Sequence, residues 1–224
     1  CEANPHSAKL INVDATRNLV KLLGKDQLLI YASTTSIYGR SGEKRNEESA
    51  VEPVSTYGVT KLQAEQICLE HEFSVAPRFP TLFGISPRMR IDLLCNDFVY
   101  KAVNEHCVVV YSGRTKRTFL HVRDAVGGYL FCMEHADEMK GQVFNVGSDS
   151  LNCIKLDLVG MVARKVRCEI IDAEIADPDV RNYEIDYSKI AKLGYKVQYL
   201  LEDGIDELIR LYGFYKPTRL YNTI

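Results

Sequence analysis

No run of eighteen apolar residues occurs in this 224-residue sequence, which excludes a membrane-spanning helix within it. A charged stretch followed by an apolar one, the form of a secretory leader, is also lacking. Net charge is only −2, so no broad cationic surface for nucleic acid is implied. The seven cysteines follow no CxxC or regular spacing, and their number is odd. Free thiols in a reducing cytosol are expected, with at least one cysteine unpaired. Cysteines and histidines show no metal-ligand spacing. Internal repeats, low-complexity segments and any Gly-x-x-Gly-x-x-Gly turn are absent as well. The first residue is Cys1 rather than Met, and a preceding segment is expected.

What is present reads as a globular α/β chain. A helix is expected from about Ser7 to Leu23, with Ile11, Ala15, Leu19, Leu22 and Leu23 on one face and Gly24 as its stop. Leu28 to Tyr31 is a short continuous apolar run, the pattern of a strand buried on both faces of a parallel sheet. Arg40 to Glu52 reads as a polar loop, Thr56 to His71 as a helix, and Ser74 to Phe83 as a strand ended by Gly84. Helix–strand–helix–strand order predicts a parallel sheet. Beyond Gly84, helices are expected over Ile91–Val103, from Asp124, over Leu156–Val166 and over Leu201–Tyr212. Strands are expected over Val108–Tyr111, Gln142–Val146 and Cys168–Asp172. Asp124 suits an N-cap.

Tyr57 and Lys61 stand four apart on the Thr56–His71 helix, on one face. A phenol ionises near pH ~10 and is a poor base at neutrality. An ammonium one turn away favours the phenolate, and a Tyr so tuned can take a proton from a carbinol. Thr34, at the end of the preceding strand in Tyr31-Ala32-Ser33-Thr34-Thr35-Ser36-Ile37-Tyr38-Gly39, offers a hydroxyl to the same oxygen. Spacing alone is weak: Tyr212 and Lys216 match it too, with no hydroxyl-ended strand before them.

Five stretches together carry a resemblance. They are Ala32–Gly39, Pro53–Lys61, Arg78-Phe79-Pro80-Thr81-Leu82-Phe83-Gly84, Arg117-Thr118-Phe119-Leu120-His121-Val122-Arg123-Asp124 and Phe144-Asn145-Val146-Gly147. In this order they resemble the extended short-chain dehydrogenase/reductases, in the NDP-sugar epimerase/dehydratase branch typified by UDP-galactose 4-epimerase. The likeness runs from about Pro5 to Tyr212. It implies a partial doubly wound, Rossmann-like parallel sheet over residues 1–84, binding NAD, or NADP. A smaller α/β lobe for the nucleotide-diphosphate sugar would occupy mainly 85–224, with about 119–135 returning to the first part. By position, Tyr57 would be the general base, Lys61 its tuner and a nicotinamide-ribose ligand, and Thr34 the substrate-polarising hydroxyl. Ser33 would lie at the cofactor. Arg117 would bind the diphosphate, as a guanidinium fork suits phosphate oxygens; the alternative is a surface Arg among Arg114 and Lys116. Asn96 and Arg181 would be further phosphate contacts, against the alternative of plain structural residues. Thr81 would meet the sugar, and Arg88 and Arg90 either line its cleft or sit on a solvated loop. His121 and Asp124 read as a structural histidine and a helix cap rather than an acid/base pair. The resemblance also implies a homodimer pairing through the helices matching about Ser7–Leu23 and Thr56–His71.

Departures from the family narrow the chemistry. The glycine turn that lets backbone approach a pyrophosphate is missing from these residues. The Asp-Glu pair of 4,6-dehydratases is replaced by Thr35 and Ser36, neither a carboxyl acid or base, which disfavours elimination. The decarboxylating relatives keep a Glu at the place of Ser36, which disfavours that reaction too. Thr81 stands for a sugar-contacting Asn, and Ala176 for a phosphate-binding Arg. Pro77 falls inside a presumed central strand, where it removes a ladder hydrogen bond. What remains is chemistry at one carbinol carbon. The expectation is an NAD-dependent NDP-sugar 4-epimerase that removes and returns hydride at C4 through a 4-keto sugar. The alternatives are an NADPH-dependent 4-ketoreductase and a non-catalytic nucleotide-sugar-binding dimer.

Overall fold

The computed structural model describes residues 1–173 and 181–215; Ala176 and Lys216 lie outside them. The first helical stretch starts at Asn4, whose side chain accepts the Ser7 amide at 2.9 Å, with Pro5 directly after it. Helix α1 (Pro5–Lys9) continues through a π-helical turn (Leu10–Asp14) into α2 (Ala15–Leu22). The expected apolar face points outward: Ile11 is 70% and Leu22 82% exposed. The inward side is smaller and partly polar, with Ala8 and Val13 buried and Asn12 donating to Thr60 at 3.0 Å. Periodicity identified the stripe but not the side that packs.

Strands β1 (Leu29–Ile30) and β2 (Ser33–Thr34) are two pieces of one line, followed by a 3₁₀ turn over Thr35–Tyr38. Then come β3 (Arg40–Arg45), α3 (Thr56–Leu69), β4 (Ser74–Phe79) and β5 (Thr81–Phe83). Strand β3 overturns the expected loop. Its sequence Arg-Ser-Gly-Glu-Lys-Arg lacks apolar alternation, and it forms by pairing in parallel with the later strand Asn182–Ile185. The second half supplies α4 (Leu94–Asn104), β6 (Cys107–Tyr111), β7 (Lys116–His121), α5 (Val122–Glu134), α6 (Ala136–Met139) and β8 (Gln142–Asn145). It ends with β9 (Asn152–Ile154), α7 (Lys155–Ala163), β10 (Glu169–Ala173), β11 (Asn182–Ile185), α8 (Ser188–Lys192) and α9 (Leu201–Tyr212).

The main sheet is parallel, with β4 between the β1/β2 line and β8. A second sheet sets β5 parallel to β7 and β9 antiparallel to β7, and β6 pairs in parallel with β10. This is an α/β fold built mostly on parallel strands. One core cluster runs through main sheet and second half, from Val75 and Phe79 to Ile205 and Leu208. A smaller one gathers Ile37, Tyr38, Tyr183, Ile185 and Tyr187.

Residues 28–32 are half-buried rather than fully covered, because among the described residues no strand pairs with their outer edge. The split between β1 and β2 has a covalent cause. The Tyr31 amide donates to Val75 O, so Val75 faces this line. Alternation along β4 then turns Pro77 the same way. Pro77 has no N–H to return to the Tyr31 carbonyl, and the ladder resumes only at Ser33↔Arg78.

Candidate active site

A cleft of about 530 Å³ opens where β2, β5 and the start of α3 converge. It collects Thr34, Ser36, Tyr57, Thr81, Arg90, Arg117 and Arg181 from segments far apart in sequence. Another depression, of about 580 Å³, is lined by Lys25, Asp26, His71, Phe73, Asp137 and Lys140. Those residues precede β1, β4 and β8, at the end of the parallel sheet opposite to the one where ligands bind in open α/β folds.

Ser55 caps α3, its hydroxyl accepting the Gly58 amide at 3.0 Å. That puts Tyr57 in the first turn of the helix, facing the end of β2. Thr34 and Tyr57 meet in the cleft, and burial raises the phenol above its ordinary pKa. The Thr34 hydroxyl opposes this, as do the cations of Arg181 and Arg90. The residue as a whole is 39% exposed, so the base borders both protein and cleft.

Lys61 takes a different position from the one expected. Its ammonium lies 4.2 Å above the Tyr31 ring. Burial lowers its pKa, partly offset by Cys68 and Glu65. The cations bearing on the phenol in this structure are the two arginines. The buried Ser33 hydroxyl donates to Glu65, behind the strand end. Asn96 is engaged as well, its Oδ1 accepting the Gly84 amide at 3.1 Å and its Nδ2 donating to Arg90 O at 2.9 Å. It holds the loop after β5 from the first turn of α4, which begins at Leu94.

Arg117 is only 6% exposed, which removes the surface alternative. From β7 its Nη1 reaches the Arg181 carbonyl at 3.4 Å. Arg181 donates to Ser36 Oγ at 2.6 Å, and Thr81 lines the cleft from β5. Arg90 forms a bidentate pair with Asp92 at 2.7 and 2.6 Å. Arg88 is exposed on the same loop. His121 is fully buried and bonded to Glu207 at 2.6 Å. It also caps α5 through the Arg123 amide at 3.2 Å. Asp124 is therefore not the N-cap: its carboxylate accepts the Gln198 and Tyr199 amides at 2.9 and 3.0 Å. Tyr212, the other match to the Tyr–Lys spacing, is buried in the core.

Sequence reasoning missed Ser36, Asp92 and Asp97 in the cleft, and the Glu65–Arg78 pair beneath it. Glu65 carried a signal, four residues after Lys61 on the same helical face.

The family model described as NAD dependent epimerase/dehydratase family matches residues 1–147. The chain belongs to that family. Among curated proteins it is 27% identical to the uncharacterized UDP-glucose epimerase YtcB of Bacillus subtilis (strain 168), over 95% of this chain and 69% of that protein. Among solved structures it resembles a UDP-glucuronic acid 4-epimerase from Bacillus cereus, a Tyr-to-Phe mutant in complex with UDP-4-deoxy-4-fluoro-glucuronic acid and NAD. That match has 25% identity and a TM-score of 0.75, covering 90% of this chain and 68% of the other. RMD from Pseudomonas aeruginosa, complexed with NADPH, shares the fold at 21% identity and a TM-score of 0.82, over 94% of this chain and 76% of that one.

Proposed function

We propose that this member of the epimerase/dehydratase family carries the reaction centre of an NAD-dependent NDP-sugar 4-epimerase. The observation that carries the reading is the meeting of Tyr57 and Thr34 in one cleft bordered by guanidinium groups. Thr34 holds O4 of the sugar while Tyr57 takes its proton, and the same pair returns a proton when the sugar carbinol re-forms. Arg117, and Arg181 from the other wall, suit the diphosphate of the sugar nucleotide. Thr35 and Ser36 are engaged with Tyr183 and Arg181, at 3.3 and 2.6 Å. Neither is a carboxyl group, which favours chemistry at one carbon over elimination.

The residues present fit one end of the cofactor. Tyr57 and Lys61 offer a phenol and an ammonium on one face of α3 beside the uncovered edge of β1 and β2, a donor set suited to ribose hydroxyls. The pyrophosphate end has no glycine-rich cradle among these 224 residues. NAD, when bound, would accept a hydride from C4 and give it back.

A second copy of the chain is the proposed partner, paired across α1, α2 and α3, where Leu10, Ile11, Leu19 and Leu22 stand exposed.

The test is turnover of UDP-glucose and UDP-glucuronic acid, deuterated at C4, by the protein expressed from its complete reading frame. A C4 epimer that keeps its deuterium supports the reading. Stoichiometric oxidation of NADPH with a 4-keto sugar points instead to a reductase. Binding without turnover, unchanged in Tyr57→Phe, would mean a non-catalytic binding protein.

A further inference from the structure

Arg181 reaches from the cleft wall to the hydroxyls beside Tyr57. Its Nη1 donates to Ser36 Oγ at 2.6 Å. Ser36 Oγ also accepts from Thr34 Oγ1 at 3.1 Å, and the Ser36 amide donates back to Thr34 Oγ1 at 3.1 Å. Thr34 in turn lines the same cleft as Tyr57, and its hydroxyl favours the ionised phenol. Both residues are largely buried, Thr34 at 6% and Ser36 at 4% exposure, which limits competition from solvent.

We propose that Arg181, held by Ser36, is a positioning residue of the reaction centre: it fixes the direction of the Ser36 and Thr34 hydroxyls and so favours ionised Tyr57. The proposal rests on the general-base reading of Tyr57 given above. Protons and lone pairs along the row decide its direction. A serine oxygen has two lone pairs and one proton. With Tyr57 neutral, the guanidinium and Thr34 take both lone pairs of Ser36. When Tyr57 loses its proton, an acceptor replaces a donor beside Thr34, and Thr34 must turn its own proton to the phenolate. Thr34 then needs a new donor, and Ser36 supplies it, because Arg181 still holds one Ser36 lone pair and directs the hydroxyl toward Thr34. The row of bonds reverses without any heavy atom moving, and the guanidinium charge polarises it throughout.

Other groups around Tyr57 do not replace this arrangement. Arg90 is paired bidentately with Asp92. Lys61, one turn along α3, sits on the Tyr31 ring. The Glu2 carboxylate meets the Tyr57 amide at 3.3 Å, away from the hydroxyl. Tyr31, Tyr129 and Tyr183 are phenols whose ionisation would oppose that of Tyr57. The carbonyl of Arg181 is tied to Arg117 at 3.4 Å, which fixes the base of the side chain.

Difluorotyrosine incorporated at position 57 reports its own ionisation by fluorine NMR, with neither cofactor nor sugar present. Its lowered phenol pKa brings the titration into a range where the fold holds. Failure of the epimerase reading would leave this titration untouched, so the two ideas fail separately. Arg181→Gln and Ser36→Ala should each lower the ionisation constant of the probe about threefold or more, with Arg181→Lys recovering part of the loss. Circular dichroism identifies any variant that fails to fold, and the two sites test the idea independently. An unchanged ionisation constant in both variants overturns the proposal. So does a shift in Arg181→Gln with none in Ser36→Ala, since the charge would then act without the hydroxyl row.

Discussion

Glu65 and Arg78 face each other as a buried bidentate pair, Nη2 to Oε1 at 2.7 Å and Nε to Oε2 at 3.0 Å. Glu65 also receives the Ser33 hydroxyl. Arg78 also donates to the Tyr38 hydroxyl at 2.8 Å, which passes its proton side to Asn145 at 2.9 Å. The network thus joins α3 to the ends of β2, β4 and β8, the strand ends that present Thr34. Removing one partner strands the other charge in the interior. Glu65→Gln should therefore cost about 3–5 kcal/mol of stability, read as a fall in the urea midpoint. The double change Glu65→Leu with Arg78→Met should recover much of that loss. A single variant within about 1 kcal/mol of the parent would mean the pair is solvated in practice.

Tyr57→Phe should fold normally and lose about two to four orders of magnitude in turnover. The pH dependence follows from the direction of the phenol shift. Burial raises Tyr57 above its ordinary value, so the ionised base is a minor species at neutral pH. Turnover limited by proton removal should then climb about tenfold per pH unit through the neutral range. A flat profile between neutral and mildly alkaline pH would show that ligand binding resets the phenol or that another group takes the proton.

The legible parts of the sequence were those set by local pattern. Leu201–Tyr212 forms the helix its periodicity predicts, and Ser74–Phe83 forms strands ended by Gly84, whose φ of +99° suits glycine. Tyr57 and Thr34 were readable because a strand end and the next helix start lie close in sequence. What depends on distant pairing was not. Strand β3 has no apolar alternation and owes its form to β11. Ser36 meets Arg181 across 145 residues of chain. The place of Lys61 depends on which way a long side chain turns, and spacing on a helix does not fix that. Pro77 was anomalous in the sequence and becomes intelligible only once its partner strand is seen to be split.

The exposed stripe on α1 and α2 predicts association. Ile11 and Leu22, at 70% and 82% exposure, are large apolar residues with no cover among the described residues. Light scattering should give a dimer mass for the parent protein, and Ile11→Glu with Leu22→Glu should shift it toward the monomer with secondary structure intact. A monomeric parent at micromolar concentration would remove this pairing from consideration.

Lys61 sets two effects against each other. Its ammonium gains about 0.5–1 kcal/mol from the Tyr31 ring face, while burial disfavours the charge. Burial wins, because the pKa is lowered from the ordinary lysine value despite Cys68 and Glu65. Between the lowered value and that of the unfolded chain, the unfolded state binds more protons, so stability from this group rises with pH across that window. Below it, Lys61 is protonated in both states and its buried charge opposes folding. Lys61→Met keeps the stem, replaces the cation with a thioether suited to the ring edge, and removes the buried charge. The variant should show a higher urea midpoint at neutral pH, an advantage that shrinks as pH rises through the window, and reduced turnover. A lower midpoint would mean that the ammonium–ring contact outweighs the cost of burying the charge.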